Sequence, residues 1–263
     1  MELLERLETK IFGLDRVLKG GIPRYSTVLI AGPYGSGKTV LCQNIFFNFN
    51  RATGQNVLYL NVVFEPQDKF LCYQQQFSFF DGDAFMDSVI FQDIGSIIKA
   101  RGIIRTMEII DELVAQLEPA LLAIDSLQAL SALLPSEREF RDFIFNLNMR
   151  LSGWPCTVFL VGEYVEEEIN ARPEAAIADG IIYLYTSEQK RFLRILKMRG
   201  TNYEPGEHLF QISAEGVLLF PQLTPSLDNL TWLKNPAASG NRNLRNGRNA
   251  RRRLKEKALK FRR

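Results

Sequence analysis

Residues 32–39 read Gly-Pro-Tyr-Gly-Ser-Gly-Lys-Thr. This is the G-x-x-x-x-G-K-T spacing of a loop that can cradle phosphate. Its glycines let the backbone curl until successive N–H groups converge on one anion. A helix opening near Gly37 adds the positive end of its dipole. The Lys38 ammonium can reach β- and γ-phosphates, and the Thr39 hydroxyl can ligate Mg²⁺. Gly32, Pro33, Tyr34, Gly35, Ser36, Gly37, Lys38, Thr39 and Val40 are therefore the expected nucleotide-binding residues, with Lys38 also a catalytic candidate. Downstream, Leu121-Leu122-Ala123-Ile124-Asp125 delivers a carboxylate at the end of an apolar run. That is a Walker B pattern, and it makes Thr39 and Asp125 the expected metal residues. The cofactors implied are ATP and Mg²⁺.

These side chains need strands that end together. Val28 to Ala31 are apolar and lead straight into the loop. Residues 38–50 follow with helical spacing (Val40, Leu41, Ile45, Phe46). Residues 57–64 are a nearly continuous apolar run, as expected of a parallel strand covered on both faces. Further strands are predicted at 88–92, 121–125 and 157–161, with helices over 96–117 and from a Ser136/Glu139 capping box to about Ser152. Residues 67–87 read as partly helical. Strands alternating with helices imply a parallel sheet. Residues 181–185 and 192–197 then read as a hairpin, followed by short strands near 208–212 and 216–220. The fold class expected is α/β, with a mostly parallel central sheet flanked by helices and antiparallel strands at its C-terminal side. Ligands of such sheets sit at the carboxyl ends of strands. The loop, Glu65, Asp125 and Glu163 all fall at such ends, so one site accounts for them.

Composition narrows the function classes. The 263 residues are 46% apolar, enough for a sizeable core. No apolar run approaches the roughly 18–20 residues that span a bilayer. The N-terminal MELLERLETK carries no signal-peptide profile, so the expectation is cytoplasmic. Cys42, Cys72 and Cys156 are widely spaced and read as reduced, mostly buried thiols. His208 is the only histidine, which excludes a His-rich metal site and points to a structural role. The net charge of +2 hides an asymmetry: Gly240 to Arg263 holds eleven Lys/Arg and one acid, Glu256. An acidic body therefore carries a basic tail.

Taken together, G-L-D-x-x-L-x-G-G-I-P-R (Gly13 to Arg24), the phosphate loop, I-D-S-L (Ile124 to Leu127), I-A-D-G-I-I-Y-L (Ile177 to Leu184) and R-I-L-K-M-R-G-T (Arg194 to Thr201) resemble the KaiC-type branch of the RecA superfamily. The resemblance covers roughly residues 7–222, one KaiC-like domain, where the clock protein has two in tandem. It implies a RecA-like P-loop core and a homo-oligomer, a hexameric ring or filament, with ATP between subunits. It also implies that Lys197 and Arg199 act in trans on the neighbour's γ-phosphate, in the manner of an arginine finger.

The sequence departs from that family in three places. Val63-Phe64 stands where a catalytic Glu pair belongs, and neither residue can orient water. Glu65, one or two residues on, can substitute as the catalytic carboxylate only if the strand end bulges. Ala175-Ala176 replaces a phosphorylated Ser-Thr pair of the clock protein. Tyr203 stands in place of a frequent His, and Tyr25 in place of a frequent Gly. The expectation is ATP binding at subunit interfaces that controls oligomerisation or partner binding, with weak hydrolysis. Two alternatives stay open: an active DNA-dependent recombinase-type ATPase with Glu65 as base and the tail on DNA, and an interaction protein with ATP as a structural ligand. The domains expected are 1–232, the ATP-binding body, and 233–263, a basic tail disordered when free. Residues 240–263 would meet an anionic partner: nucleic acid, an acidic protein or a membrane surface.

Overall fold

The computed structural model describes residues 5–62 and 67–222. Val63, Phe64, Glu65, the 232/233 boundary and the basic tail lie outside the described residues. A two-stranded ribbon, β1 (Arg6–Leu7) and β2 (Ile22–Pro23), flanks a single helical turn, α1 (Leu14–Val17). The chain then enters β3 (Thr27–Gly32), α2 (Lys38–Thr53), β4 (Val57–Asn61), α3 (Gln67–Gln74), β5 (Val89–Asp93), α4 (Gly95–Leu117) and β6 (Leu121–Asp125). Next come α5 (Leu127–Leu133), α6 (Glu137–Leu151), β7 (Thr157–Glu163) and two short helices, α7 (Glu166–Ile169) and α8 (Pro173–Ile177). Four strands close the body: β8 (Gly180–Ser187), β9 (Lys190–Met198), β10 (His208–Ser213) and β11 (Gly216–Phe220).

Nine strands form one sheet in the order β11-β10-β9-β8-β3-β7-β6-β4-β5. From β8 to β5 every pairing is parallel, and from β8 to β11 every pairing is antiparallel. The expected mostly parallel sheet with C-terminal antiparallel strands is what forms. The β8–β9 turn has both central residues at positive φ, Glu188 at 48° and Gln189 at 62°. Its twist suits a two-residue hairpin loop.

Strand period 2 explains how one sheet serves two cores. Val28, Ile30, Tyr59, Ala123, Phe159 and Ile182 face α2, whereas Leu29, Leu58, Leu60, Ile124, Leu160 and Tyr183 face α4, α5 and α6. Helix α2 is buried nearly all round, from Leu41 to Asn50 on almost every position. Its polar members are each matched. Gln74 Nε2 donates to Gln43 Oε1 at 2.8 Å, Val217 N donates to Asn44 Oδ1 at 2.9 Å, and Asn50 Nδ2 donates to the Gln55 carbonyl at 2.9 Å. Across the sheet, Ser136 Oγ accepts from Glu139 N at 3.2 Å and caps α6, as its sequence predicts. Helix α4 carries a kink at Gly102, whose φ is 74° and ψ 170°.

His208 takes the structural role expected of it. It is fully buried, its Nδ1 accepts from Gln222 N at 3.0 Å, and its Nε2 lies 3.1 Å from the Glu204 carbonyl. The three cysteines are free thiols, with Cys42 and Cys156 buried and Cys72 exposed. Tyr25 has φ 60°, a backbone region that favours glycine. The tyrosine must tolerate that conformation.

Phe46 anchors the α2 face, with ring centroids 5.6 Å from Tyr59 and 5.5 Å from Phe159, both edge-on. Phe46→Ala should cost about 3–5 kcal/mol, measured by denaturant unfolding. A loss under ~1 kcal/mol would mean that this core closes around the gap.

Candidate functional site

The site is built where the strand order reverses. The chain from β3 crosses to β4 on the α2 side, and the chain from β7 crosses β3 to reach β8 on the other. Such a reversal opens a crevice at the carboxyl ends of the strands. Register aligns what stands there. Gly32 of β3 is level with Glu163 of β7, and Asp125 of β6 is level with Asn61 of β4 and Val161 of β7.

The loop from Gly32 to Lys38 needs its glycines. A Cβ at Gly32 would stand 2.0 Å from the Leu184 carbonyl oxygen. Gly37 lies at φ 103° with Ile212 Cδ1 only 2.7 Å from where its Cβ would be. Gly37 is also the N-cap of α2, so the helix begins at the loop, as the sequence predicts. Tyr34 is 81% exposed at the loop's tip.

Lys38 is buried, and its Nζ donates to the Pro33 carbonyl at 2.8 Å. Glu163 Oε1 lies 3.9 Å from the same nitrogen. Burial lowers the Lys38 pKa below the ordinary lysine value, while Glu163 and Asp125 oppose that shift. The next residue, Thr39, donates through Oγ1 to Asp125 Oδ2 at 2.8 Å. Tyr59 donates to that same oxygen from β4. Burial pushes the Asp125 carboxyl above its ordinary value, and the Tyr59 and Thr39 hydrogen bonds counter part of the rise. A buried carboxylate with two hydroxyls on one of its oxygens suits a hard divalent cation, which prefers oxygen ligands. Among the described residues no cluster of three or more His, Cys, Asp or Glu offers another metal site.

Loop, lysine and threonine line a cleft of about 470 Å³ together with Tyr34, Val40, Glu163, Arg191 and Ile212. Arg191 comes from β9, opposite Thr186 of β8 and Phe210 of β10. Sequence reading does not single out Arg191, Tyr59 or Ile212. A Tyr within the aliphatic strand Val57–Asn61, needing a partner for its hydroxyl, is the one signal available.

Lys197 and Arg199 stand elsewhere. Lys197 Nζ donates to the Ala178 and Ala175 carbonyls, and Arg199 Nη1 lies 3.3 Å from Asp179 Oδ1. Asp179 in turn accepts from Thr27 N at 3.1 Å, at the start of β3. The loop leaves the far end of that strand, five residues or about 17 Å away. The chain therefore does not bring these two cations to its own phosphate loop. Burial and the neighbouring Arg199 lower the Lys197 pKa, against Asp179.

A sequence model of the family described as "ATPase: KaiC" matches residues 7–224. The chain belongs to the KaiC family of ATPases. Among the proteins it is similar to is a UPF0273 protein of Thermotoga maritima, 29% identical over 244 residues, covering 83% of this chain and 97% of that protein. The circadian clock oscillator protein KaiC 1 of Synechocystis is 26% identical over 234 residues. That match covers 83% of this chain but only 44% of the clock protein. The fold is also that of a KaiC-like protein of Pyrococcus horikoshii, at a TM-score of 0.72 and 23% identity, covering 83% of this chain and all of that one.

The buried Asp125 carboxyl gives a pH and stability test. Its folded pKa is raised, so its charged form opposes folding and stability falls as pH rises through that pKa. Asp125→Asn keeps acceptors for Thr39 and Tyr59 and removes the charge. It should raise the melting temperature of the nucleotide-free protein at pH 7 and abolish Mg²⁺-dependent strengthening of nucleotide binding, read by calorimetry. A lower melting temperature with Mg²⁺ dependence intact would contradict this assignment.

Proposed function

We propose that this KaiC-family chain binds Mg·ATP at interfaces between copies of itself, in the cytoplasm. Nucleotide occupancy then controls oligomerisation or partner binding, and hydrolysis is weak. The observation that carries the reading is the junction of loop, Lys38 and the Thr39–Asp125 contact in one cleft. The amides of 33–39 take the phosphates, Lys38 exchanges the Pro33 carbonyl for β- and γ-phosphate oxygens, and Arg191 adds a cation at the cleft's edge. Thr39 and, through water, Asp125 would hold Mg²⁺, which offsets charge on the β- and γ-phosphates when bound.

The assembly half of the proposal rests on Lys197 and Arg199. They lie a strand's length from their own loop, a placement that leaves them to serve a neighbour in a hexameric ring. Cations placed there in trans make nucleotide binding and subunit contact favour one another. Val63-Phe64 in place of a carboxylate pair supports slow turnover. The basic segment 240–263 adds a separate route to an anionic partner, nucleic acid or an acidic protein. No helix among the described residues is long and apolar enough to cross a membrane. No observation on the described residues favours the recombinase reading.

Lys38→Ala should weaken ATP binding beyond detection by calorimetry or filter binding, with folding unchanged by circular dichroism. Unaltered ATP affinity would remove the phosphate-loop assignment. Arg199→Ala should retain ATP binding to the single chain but lose ATP-dependent assembly in sedimentation velocity. Assembly at wild-type strength would remove the trans role.

A further inference from the structure

We propose that Glu163, at the end of β7, is the carboxylate that orients and deprotonates the attacking water in this site. The inference rests on the reading of the loop as an ATP site. Three observations converge on it. First, Glu163 is the register partner of Gly32, so it stands beside the first residue of the loop. It also lies two residues beyond Val161, the partner of Asp125. Glu163 thus reaches about 7 Å further along the strand direction than the metal-side acid. Second, its side chain lines the same cleft as Lys38 and Thr39, with Oε1 3.9 Å from Lys38 Nζ. That contact is long for an ion pair, and the closer partner of Lys38 is the Pro33 carbonyl at 2.8 Å. Third, Glu163 Oε2 is buried with no hydrogen-bond partner, as is Ser36 Oγ in the loop itself.

A buried carboxylate oxygen without a donor is costly, and folds retain few of them. Here the bare oxygen belongs to a side chain that lines the cleft, and a rotation of the carboxylate would bring it to a water there. The alternative source of a carboxylate, the stretch after β4, reads Val62-Val63-Phe64-Glu65, so its one carboxylate stands past the two positions where the pair is expected. Glu163 approaches from two strands away, on the Lys38 side that meets the γ-phosphate. In the reaction the water oxygen bonds to the γ-phosphorus as the bond from phosphorus to the β–γ bridging oxygen breaks. That electron pair leaves on ADP, and a water proton passes to Glu163 and then to solvent.

The test measures ATP affinity and single-turnover phosphate release for the wild-type full chain, Glu163→Gln, Glu163→Asp and Glu65→Gln, each in its assembled state. Glu163→Gln is expected to bind ATP within about threefold of wild type and to release phosphate at least ~100-fold more slowly, the low end for a general base. Glu163→Asp keeps the carboxylate one methylene back and should recover part of the rate, which a merely structural role would not produce. Turnover by Glu163→Gln within threefold of wild type would overturn the proposal. So would lost ATP binding in that variant, or turnover lost in Glu65→Gln but kept in Glu163→Gln. Wild-type protein that binds ATP but never releases phosphate also overturns it and leaves the ATP-binding reading standing. Wild-type protein that binds no ATP removes that reading itself.

Discussion

A carboxylate at 8% exposure must find its donors inside the fold, and Asp125 finds them on two neighbouring elements. Thr39 reaches it from the first turn of α2 and Tyr59 from the adjacent strand β4. The pair of hydroxyls fixes the helix start against the sheet, and the helix start fixes the loop. If α2 slid by one residue, Thr39 would leave Asp125 and Lys38 would leave the Pro33 carbonyl. Burial raises the Asp125 pKa and lowers that of Lys38, so both charges are disfavoured in the fold. Sites that tolerate such groups are where perturbed titration and function coincide.

Helix α2 can hold that position because it is part of the core. Aromatic residues from three strands and the loop between α3 and β5 pack along it, among them Tyr59 and Phe159 on Phe46, and Phe79, Phe80 and Phe91 on Phe47. On its far side Asn44 accepts from Val217 N, tying the antiparallel edge strands to the same helix. The neighbouring antiparallel strands β10 and β9 deliver Ile212 and Arg191 to the cleft. The antiparallel half of the sheet therefore does more than close the fold: it walls the cleft on one side.

Much of this was legible in the chain because the loop and the strand-end acid are local patterns. Gly32 to Thr39 and Leu121 to Asp125 each carry their meaning within eight residues, and both appear where their spacing places them. The parallel sheet followed from alternation of strand and helix patterns, and the hairpin from its turn. What was hidden depends on pairings distant in sequence. Arg191 lines the cleft only because β9 pairs with β8 and β10, and Tyr59 matters only because β4 lies beside β6. Nothing local marks Arg191, and Tyr59 is marked only by a hydroxyl that needs a partner within an aliphatic strand. Tyr25 was expected to be glycine from the resemblance alone, and its φ of 60° is a conformation that glycine adopts most easily.

The same topology separates the two halves of the proposed site. The loop opens at the carboxyl ends of the parallel strands, and Lys197 and Arg199 sit at the opposite ends, held by the Ala175 and Ala178 carbonyls and by Asp179. One chain offers a phosphate cradle at one end and two cations at the other, a head-to-tail pattern that closes into a ring if the rotation permits. The decisive measurement is a structure of the full chain in solution-assembled form with Mg²⁺ and a non-hydrolysable ATP analogue. The account predicts phosphates on residues 33–39, Mg²⁺ beside Thr39 and Asp125, and a neighbour's Lys197 and Arg199 at the γ-phosphate. Nucleotide bound with no neighbouring chain at its γ-phosphate would contradict it.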